Sequence, residues 1–390
     1  MVVYYRDRQA ELDSVRDERL FFMNNPVICI TGGHQTPAIA VIEAVQKSHP
    51  QWKVVWVGRK YAFEGNHTLS PEYTLVRSMN IQFESLTTGR VQRNLSVQTF
   101  LSFFKIPFGI IQSVFILKRI HPNLIVSFGG YIAFPVSLAA FFLHIPIITH
   151  EQTHSLGLTN AFIAKIAQKV CVTYPETLSG ISKNKGVLTG LPIRAGMFFP
   201  PSHPSFFVPK TPMPILYITG GSTGAVSMND ILFPVIPQLV KDMIVIHQTG
   251  AVSFPKASIV KSKLLEKSMR YIIKPFFEIQ DMAWIYRHAD VVMGRSGANT
   301  VAEIAAFGKK ALFIPLPWSG GQEQQKNAEY YQEHGTARIL DQNTVNSDSV
   351  VRAIQAMTRM ENQSIKSSKA SSLQGAAALV SEIEYLLSAL

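Results

Sequence analysis

Two phrases of the chain end an apolar run in paired glycines. Pro26-Val-Ile-Cys-Ile-Thr-Gly-Gly continues into His34-Gln-Thr-Pro-Ala, and Pro214-Ile-Leu-Tyr-Ile-Thr-Gly-Gly continues into Ser222-Thr-Gly-Ala. Glycines after a strand let backbone N–H groups close on an anion at the start of the next helix. In the first copy, His34 follows Gly32 and Gly33 where an imidazole could take a proton from a bound ligand. The bland alternative is a structural turn whose histidine bonds nearby backbone. A third glycine turn reads Ser127-Phe-Gly-Gly-Tyr131. None of the three matches Gly-x-Gly-x-x-Gly or a Walker loop, which disfavours nicotinamide dehydrogenases and P-loop ATPases.

His150-Glu-Gln-Thr-His154 satisfies the spacing of a zinc-peptidase signature, which needs both histidines on one helical face. Ile145-Pro-Ile-Ile-Thr arrives as a strand and Ser155-Leu-Gly follows, so the pentapeptide belongs on a strand-to-loop corner and the peptidase reading is a minor alternative.

The segment from Gly294 to Gly308 puts a small-residue turn, Arg295-Ser296-Gly297, between a strand and a short helix, a place where a diphosphate fits the helix N-terminus. One turn inside, Glu303 could accept two ribose hydroxyls. Its ordinary alternative is a carboxylate stabilised by the helix dipole. Downstream, Gln322-Glu-Gln-Gln-Lys-Asn enters another helix with amides and a carboxylate of the kind sugar hydroxyls want, or simply caps it.

These residues need two scaffolds. A chain of 390 residues exceeds what one core serves, and 47% apolar against 16% charged residues excludes wholesale disorder. Two strand-glycine-helix openings 188 residues apart predict two doubly wound α/β domains of Rossmann type, with ligands beyond the carboxyl ends of the strands, in a cleft between the halves. The expected boundaries are a charged extension over 1–26, a first domain over 27–199, a proline-rich linker over 200–213 and a second domain over 214–390. Cys29 and Cys171 sit in apolar runs, as packed thiols of a reducing compartment do, and the N-terminus carries no apolar core of secretory type.

The formal net charge is +11, and no acidic residue falls between Glu84 and Glu151 while Arg90, Arg93, Lys105, Lys118 and Arg119 do. Interleaved with Phe100, Phe103, Phe104, Phe108, Ile111 and Phe115, this stretch suits an anionic membrane surface better than nucleic acid. Lys105, Pro107 and Gly109 interrupt any transmembrane run. A core helix with a solvated basic face is the alternative.

Taken in order, Thr-Gly-Gly-His-x-x-Pro-Ala at 31–38, Phe-Gly-Gly-Tyr at 128–131, His-Glu-Gln at 150–152 with Gly157 and Asn160, Gly190-Leu-Pro-Ile-Arg194, Gly-Gly-Ser-x-Gly-Ala at 220–225 and Arg-Ser-Gly-Ala-x-Thr-Val-x-Glu at 295–303 resemble the MurG-like glycosyltransferases of family 28. The resemblance runs from about Val27 to Leu340 and implies a GT-B fold, two Rossmann-like domains with parallel sheets facing a central cleft. It implies inverting transfer of N-acetylglucosamine from UDP-N-acetylglucosamine to undecaprenyl-diphosphate-linked N-acetylmuramyl pentapeptide, without cofactor or essential metal, by a peripheral enzyme on the cytoplasmic side of the membrane. No Asp-x-Asp is present to hold a diphosphate-bound cation.

By position, the resemblance assigns Ser222, Arg295, Ser296 and Gly297 to the diphosphate, Glu303 to ribose, Gln324 to the donor sugar and the backbone near Phe276 or Phe277 to uracil. Gly32, Gly33, Gly129, Gly130, Tyr131 and Arg194 would line the acceptor side. His34 would be the base, with Glu151 its rival. Three departures fall in the N-terminal half: Cys29-Ile30 where a glycine pair is usual, and Thr153 and Leu191 where asparagines are usual. A different lipid acceptor, or a non-catalytic nucleotide-sugar-binding subunit, are the alternatives.

Overall fold

The computed structural model describes residues 25–61, 68–89, 97–221, 224–319, 322–361 and 369–389. Ser222, Arg90, Arg93 and residues 1–24 of the charged extension lie outside them. The chain divides into two compact units, Met1–Pro192 with Gln374–Leu390, and Ile193–Leu373.

The first unit holds seven strands: β1 (Val27–Thr31), β2 (Lys53–Gly58), β3 (Gln82–Ser85), β4 (Leu124–Ser127), β5 (Ile147–Glu151), β6 (Lys169–Val172) and β7 (Gly186–Leu188). They pair in parallel in the order β3-β2-β1-β4-β5-β6-β7. Strands buried on both faces need apolar side chains at successive positions, and β1 supplies them: Ile28 and Ile30 pack with Trp56 and Val126 on one face, Cys29 with Val55 and Ile125 on the other. Both cysteines are buried, and burial pushes each thiol up, so they act as packing groups.

The second unit repeats the plan with β8 (Ile215–Thr219), β9 (Ile244–Gln248), β10 (Tyr271–Lys274), β11 (Val291–Gly294), β12 (Lys310–Phe313) and β13 (Ala337–Ile339), in the parallel order β10-β9-β8-β11-β12-β13. In each sheet the strand order reverses beside its first strand, between β1 and β4 and between β8 and β11. The carboxyl ends of those strands are where doubly wound sheets bind ligands.

The observed boundaries differ from the expected ones in two places. The C-terminal helix Lys369–Ser388 returns to the first unit, where Leu379, Val380, Ile383 and Leu387 enter its core, Glu384 meets His49 at 2.5 Å and Glu382 lies 3.7 Å from Lys169. Residues 193–213 dock on the second unit instead of spanning a gap. Ser205 donates its N–H to Asp281 Oδ1 at 2.7 Å, and the Phe206 ring lies 5.3 Å from that of Phe277. Burial opposes ionisation of Asp281, but the Ser205 hydrogen bonds and the Lys274 ammonium outweigh it and hold its carboxyl below the ordinary range. Proline excludes helix from this stretch without excluding burial of Phe206, Val208 and Met213.

Candidate active site

At the first switch point, Gly32-Gly33-His34 leave β1 for the helix Gln35–Ser48, and Phe128-Gly129 leave β4 for the helix Gly130–Phe142. The two turns meet backbone to backbone. Gly33 has φ +132° and a Cβ there would lie 2.7 Å from the Gly129 carbonyl oxygen; Gly129 has φ +75° and a Cβ there would strike the Asn160 amide at 2.9 Å. Only glycine allows both the conformation and the approach. His34 occupies the N-cap position of its helix, exposed, with Nδ1–H donating to the Phe128 carbonyl at 2.8 Å. Beneath Gly32 lies the buried Glu72, which accepts from the Trp56 indole at 2.5 Å; burial raises its carboxyl, partly offset by Trp56 and Arg59. Tyr131 is half-buried against the core beside these turns.

At the end of β5, His150 and Glu151 finish the strand and residues 152–157 run on without helix, so the histidines of the pentapeptide share no helical face. His150 is buried, its Nε2–H donates to Gly190 at 3.0 Å, and burial lowers its imidazole to about 4. His154 stacks on Tyr174 at 3.6 Å. This arrangement removes the geometric basis of the zinc-peptidase reading.

Glu151 is nearly saturated. Its carboxylate accepts from the N–H groups of Gln152 (2.9 Å), Thr153 (3.0 Å) and Gly157 (2.9 Å), from Asn160 Nδ2 (2.9 Å) and from the Thr153 hydroxyl (2.8 Å). A carboxylate so engaged organises a loop; it is not poised to collect a proton from a ligand.

In the second unit, the helix Ala298–Ala306 starts at Gly297 with no side-chain cap, and a Cβ on Gly297 would meet nothing within 4 Å. Backbone donors in open space are what a diphosphate requires. Glu303 is half-buried one turn in; burial raises its carboxyl to about 7 against the pull of the Tyr286 hydroxyl, which donates at 2.9 Å. Gln324 spends its Oε1 on the Leu316 N–H at 2.9 Å, leaving Nε2 as its donor. Phe276 is exposed while Phe277 is buried, and the Phe277 N–H donates to Gln248 Oε1 at 3.1 Å.

Three of the residues assigned by position make contacts within the fold. The Arg295 guanidinium is buried and donates inward, to the carbonyls of Ile314 (2.7 Å) and Pro315 (3.4 Å), to Ser227 Oγ (2.8 Å) and to Gln342 Oε1 (2.5 Å). It braces the loop after β12; burial lowers it to about 10, still a cation at neutral pH. Ser296, fully buried, donates its hydroxyl to the Gln324 carbonyl at 2.6 Å, so it fixes the start of the helix Glu323–His334. Arg194 falls in the second unit, at the start of a short turn Ala195–Phe198 packed beside the helix Ile279–His288.

Residues 28–172 match the glycosyltransferase family 28 N-terminal domain, and residues 215–383 match the glycosyltransferase family 28 C-terminal domain. The chain is a family 28 glycosyltransferase. It is 34% identical over 361 residues, 90% of this chain and 92% of the relative, to the UDP-N-acetylglucosamine–N-acetylmuramyl-(pentapeptide) pyrophosphoryl-undecaprenol N-acetylglucosamine transferase of Treponema denticola. The identically named protein of Cupriavidus necator is 32% identical, with 84% of this chain and 87% of that one covered. Among solved structures, that of Acinetobacter baumannii MurG superposes with a TM-score of 0.65 at 26% identity, covering 93% of this chain and 99% of that one. The two parallel sheets are those of the GT-B fold.

Within this family 28 enzyme, two residues that sequence reasoning passed over hold the half-sites in shape. Gln248, at the end of β9, joins the segment at Phe277 to the glycine turn, donating from Nε2 to the Gly221 carbonyl at 3.3 Å. Its signal was available: an amide two residues past the apolar run Met243-Ile-Val-Ile. Glu72 gave none, because nothing in Ser70-Pro-Glu shows that its side chain folds back under Gly32.

Proposed function

We propose that this family 28 glycosyltransferase transfers N-acetylglucosamine from UDP-N-acetylglucosamine to undecaprenyl-diphosphate-linked N-acetylmuramyl pentapeptide, with inversion at the anomeric carbon. The observation that carries the reading is the hydrogen bond from His34 Nδ1 to the Phe128 carbonyl, which leaves Nε2 of an exposed imidazole as an acceptor beyond the carboxyl end of β1. The acceptor hydroxyl gives its proton to His34 Nε2 as its oxygen bonds to C1 of the sugar; the bond from C1 to the diphosphate oxygen breaks and its electron pair leaves with UDP. Gly297 and the first turn of its helix take the diphosphate, Glu303 the ribose, Gln324 Nε2 the sugar, and the backbone at Phe276 the uracil. The buried Arg295 cation adds a fixed positive potential without touching the ligand.

The enzyme works at an anionic membrane surface, on its cytoplasmic side. Phe108, Ile111 and Phe115 are exposed along one face of the helix Val97–Ile120, whose other face buries Ile116, Leu117 and Ile120, so the helix is at once core and apolar surface. Phe141, Phe142 and Leu158 are also exposed nearby in sequence, and Lys118 adds charge, while Arg119 is engaged by Glu84. Among the described residues, no helix is long and apolar enough to cross a membrane. The test is UDP release from UDP-N-acetylglucosamine with a panel of lipid acceptors. Turnover with the polyprenyl-linked muramyl peptide and none with diacylglycerol supports the assignment; the reverse pattern removes it.

A further inference from the structure

The Phe128 carbonyl that meets His34 carries a second bond. Gln152, buried in the loop after β5, donates from Nε2 to the same oxygen at 3.3 Å. We propose that Gln152 is a positioning residue for His34, acting through this carbonyl, and that the shared contact holds the imidazole as its Nδ1–H tautomer. The proposal rests on the reading of His34 as the base.

A carbonyl oxygen can only accept, so the ring nitrogen 2.8 Å away must carry the hydrogen. In the neutral ring the lone pair then belongs to Nε2. A histidine side chain free in water favours the opposite tautomer, with Nε2–H and no lone pair there, so the protein has to supply the preference. The carbonyl can supply it only if its own direction is fixed, and two arms from Glu151 converge on the Phe128–Gly129 peptide to fix it.

One arm is Gln152, whose backbone N–H is tied to Glu151 Oε1 at 2.9 Å and whose amide reaches the Phe128 oxygen. The other is Asn160, whose amide is tied to Glu151 Oε2 at 2.9 Å and stands against Gly129, close enough to exclude a Cβ there. Gly33 lies against the following peptide, where a Cβ on it would stand 2.7 Å from the Gly129 oxygen. Glu151 thereby acts on the reaction at second hand. When Nε2 takes the acceptor proton, the imidazolium keeps its Nδ1–H on the Phe128 oxygen, whose dipole favours the new charge.

The experiment is 15N NMR of the full-length enzyme carrying ring-15N histidine, at alkaline pH where the imidazole is neutral, with the His34 signals assigned by their loss in His34→Gln. In the wild-type enzyme the pyridine-type nitrogen should be Nε2 and the pyrrole-type nitrogen Nδ1. In Gln152→Met the population should move toward Nε2–H, and kcat should fall about tenfold, as loss of alignment does, with KM for UDP-N-acetylglucosamine unchanged. A wild-type His34 in the Nε2–H form overturns the proposal, whatever Gln152→Met does. A Gln152→Met enzyme with wild-type tautomer and wild-type kcat overturns the role of Gln152. Failure of the base reading is distinguishable: His34→Ala would keep its kcat while the wild-type spectrum still reported Nδ1–H.

Discussion

The Tyr286 hydroxyl donates to Glu303 Oε2 at 2.9 Å, and among the described residues that is the only hydrogen bond to a carboxylate whose burial among aromatic side chains raises it to about 7. One donor does not offset desolvation, so the group is short of partners that two ribose hydroxyls would provide. The donor complex should favour the ionised form. Affinity for UDP-N-acetylglucosamine, whose diphosphate diester does not titrate near neutrality, should rise with pH through about 7 and level off above. For the unliganded fold the sign is opposite: a carboxyl raised from 4.5 to about 7 costs stability as pH climbs across that interval. Calorimetry on wild type and Glu303→Gln checks both, and a pH dependence that persists unchanged in Glu303→Gln contradicts the assignment.

Arg295 separates stability from binding. Its four acceptors are internal, so Arg295→Ala should lower unfolding stability by about 1 to 3 kcal/mol, the cost of stranding buried polar groups, and leave UDP affinity of the folded protein within a few-fold. Denaturant unfolding and UDP titration on the same preparation decide it. A direct diphosphate contact would show the reverse, normal stability and an affinity loss beyond tenfold.

Glu151→Gln replaces an acceptor by an NH₂ group that faces N–H donors. The expected outcome is a loss of stability of about 1 to 3 kcal/mol, read by denaturant melts, accompanied by a fall in kcat. A variant of wild-type stability with kcat reduced by orders of magnitude would return Glu151 to candidacy as the base.

At the membrane, replacing Phe108, Ile111 and Phe115 by serine should abolish binding to anionic vesicles, since each buried side chain contributes about 1.5 kcal/mol or more. Neutralising Lys118 should weaken binding by about 1 kcal/mol and lower its salt dependence. Vesicle sedimentation measures both, and a triple variant that still sediments places the contact elsewhere.

The sequence made much of this legible. Ile28-Cys-Ile and Leu216-Tyr-Ile are continuous apolar runs into glycine, and such runs mark inner strands of parallel sheets, so both switch points and His34 could be found before any fold was known. What stayed hidden depends on direction in space. Arg295 and Ser296 stand in a glycine-flanked turn as ligand-binding residues do, yet their side chains point inward, and turn composition does not encode that. The return of Leu379 and Ile383 to the first unit was hidden because proximity along the chain places them with the second. The setting of Glu151 was hidden for a similar reason: its type suits a base, and only the fold shows how many donors surround it.

The measurement closest to the centre is kcat for His34→Ala with UDP-N-acetylglucosamine and the polyprenyl-linked acceptor, beside UDP affinity of the same variant. General-base assistance contributes about 10² to 10⁴ in rate, so kcat should drop at least a hundredfold, while UDP affinity, which the proposal assigns to residues of the other unit, stays within a few-fold. A His34→Ala enzyme that turns over at near the wild-type rate would contradict the account.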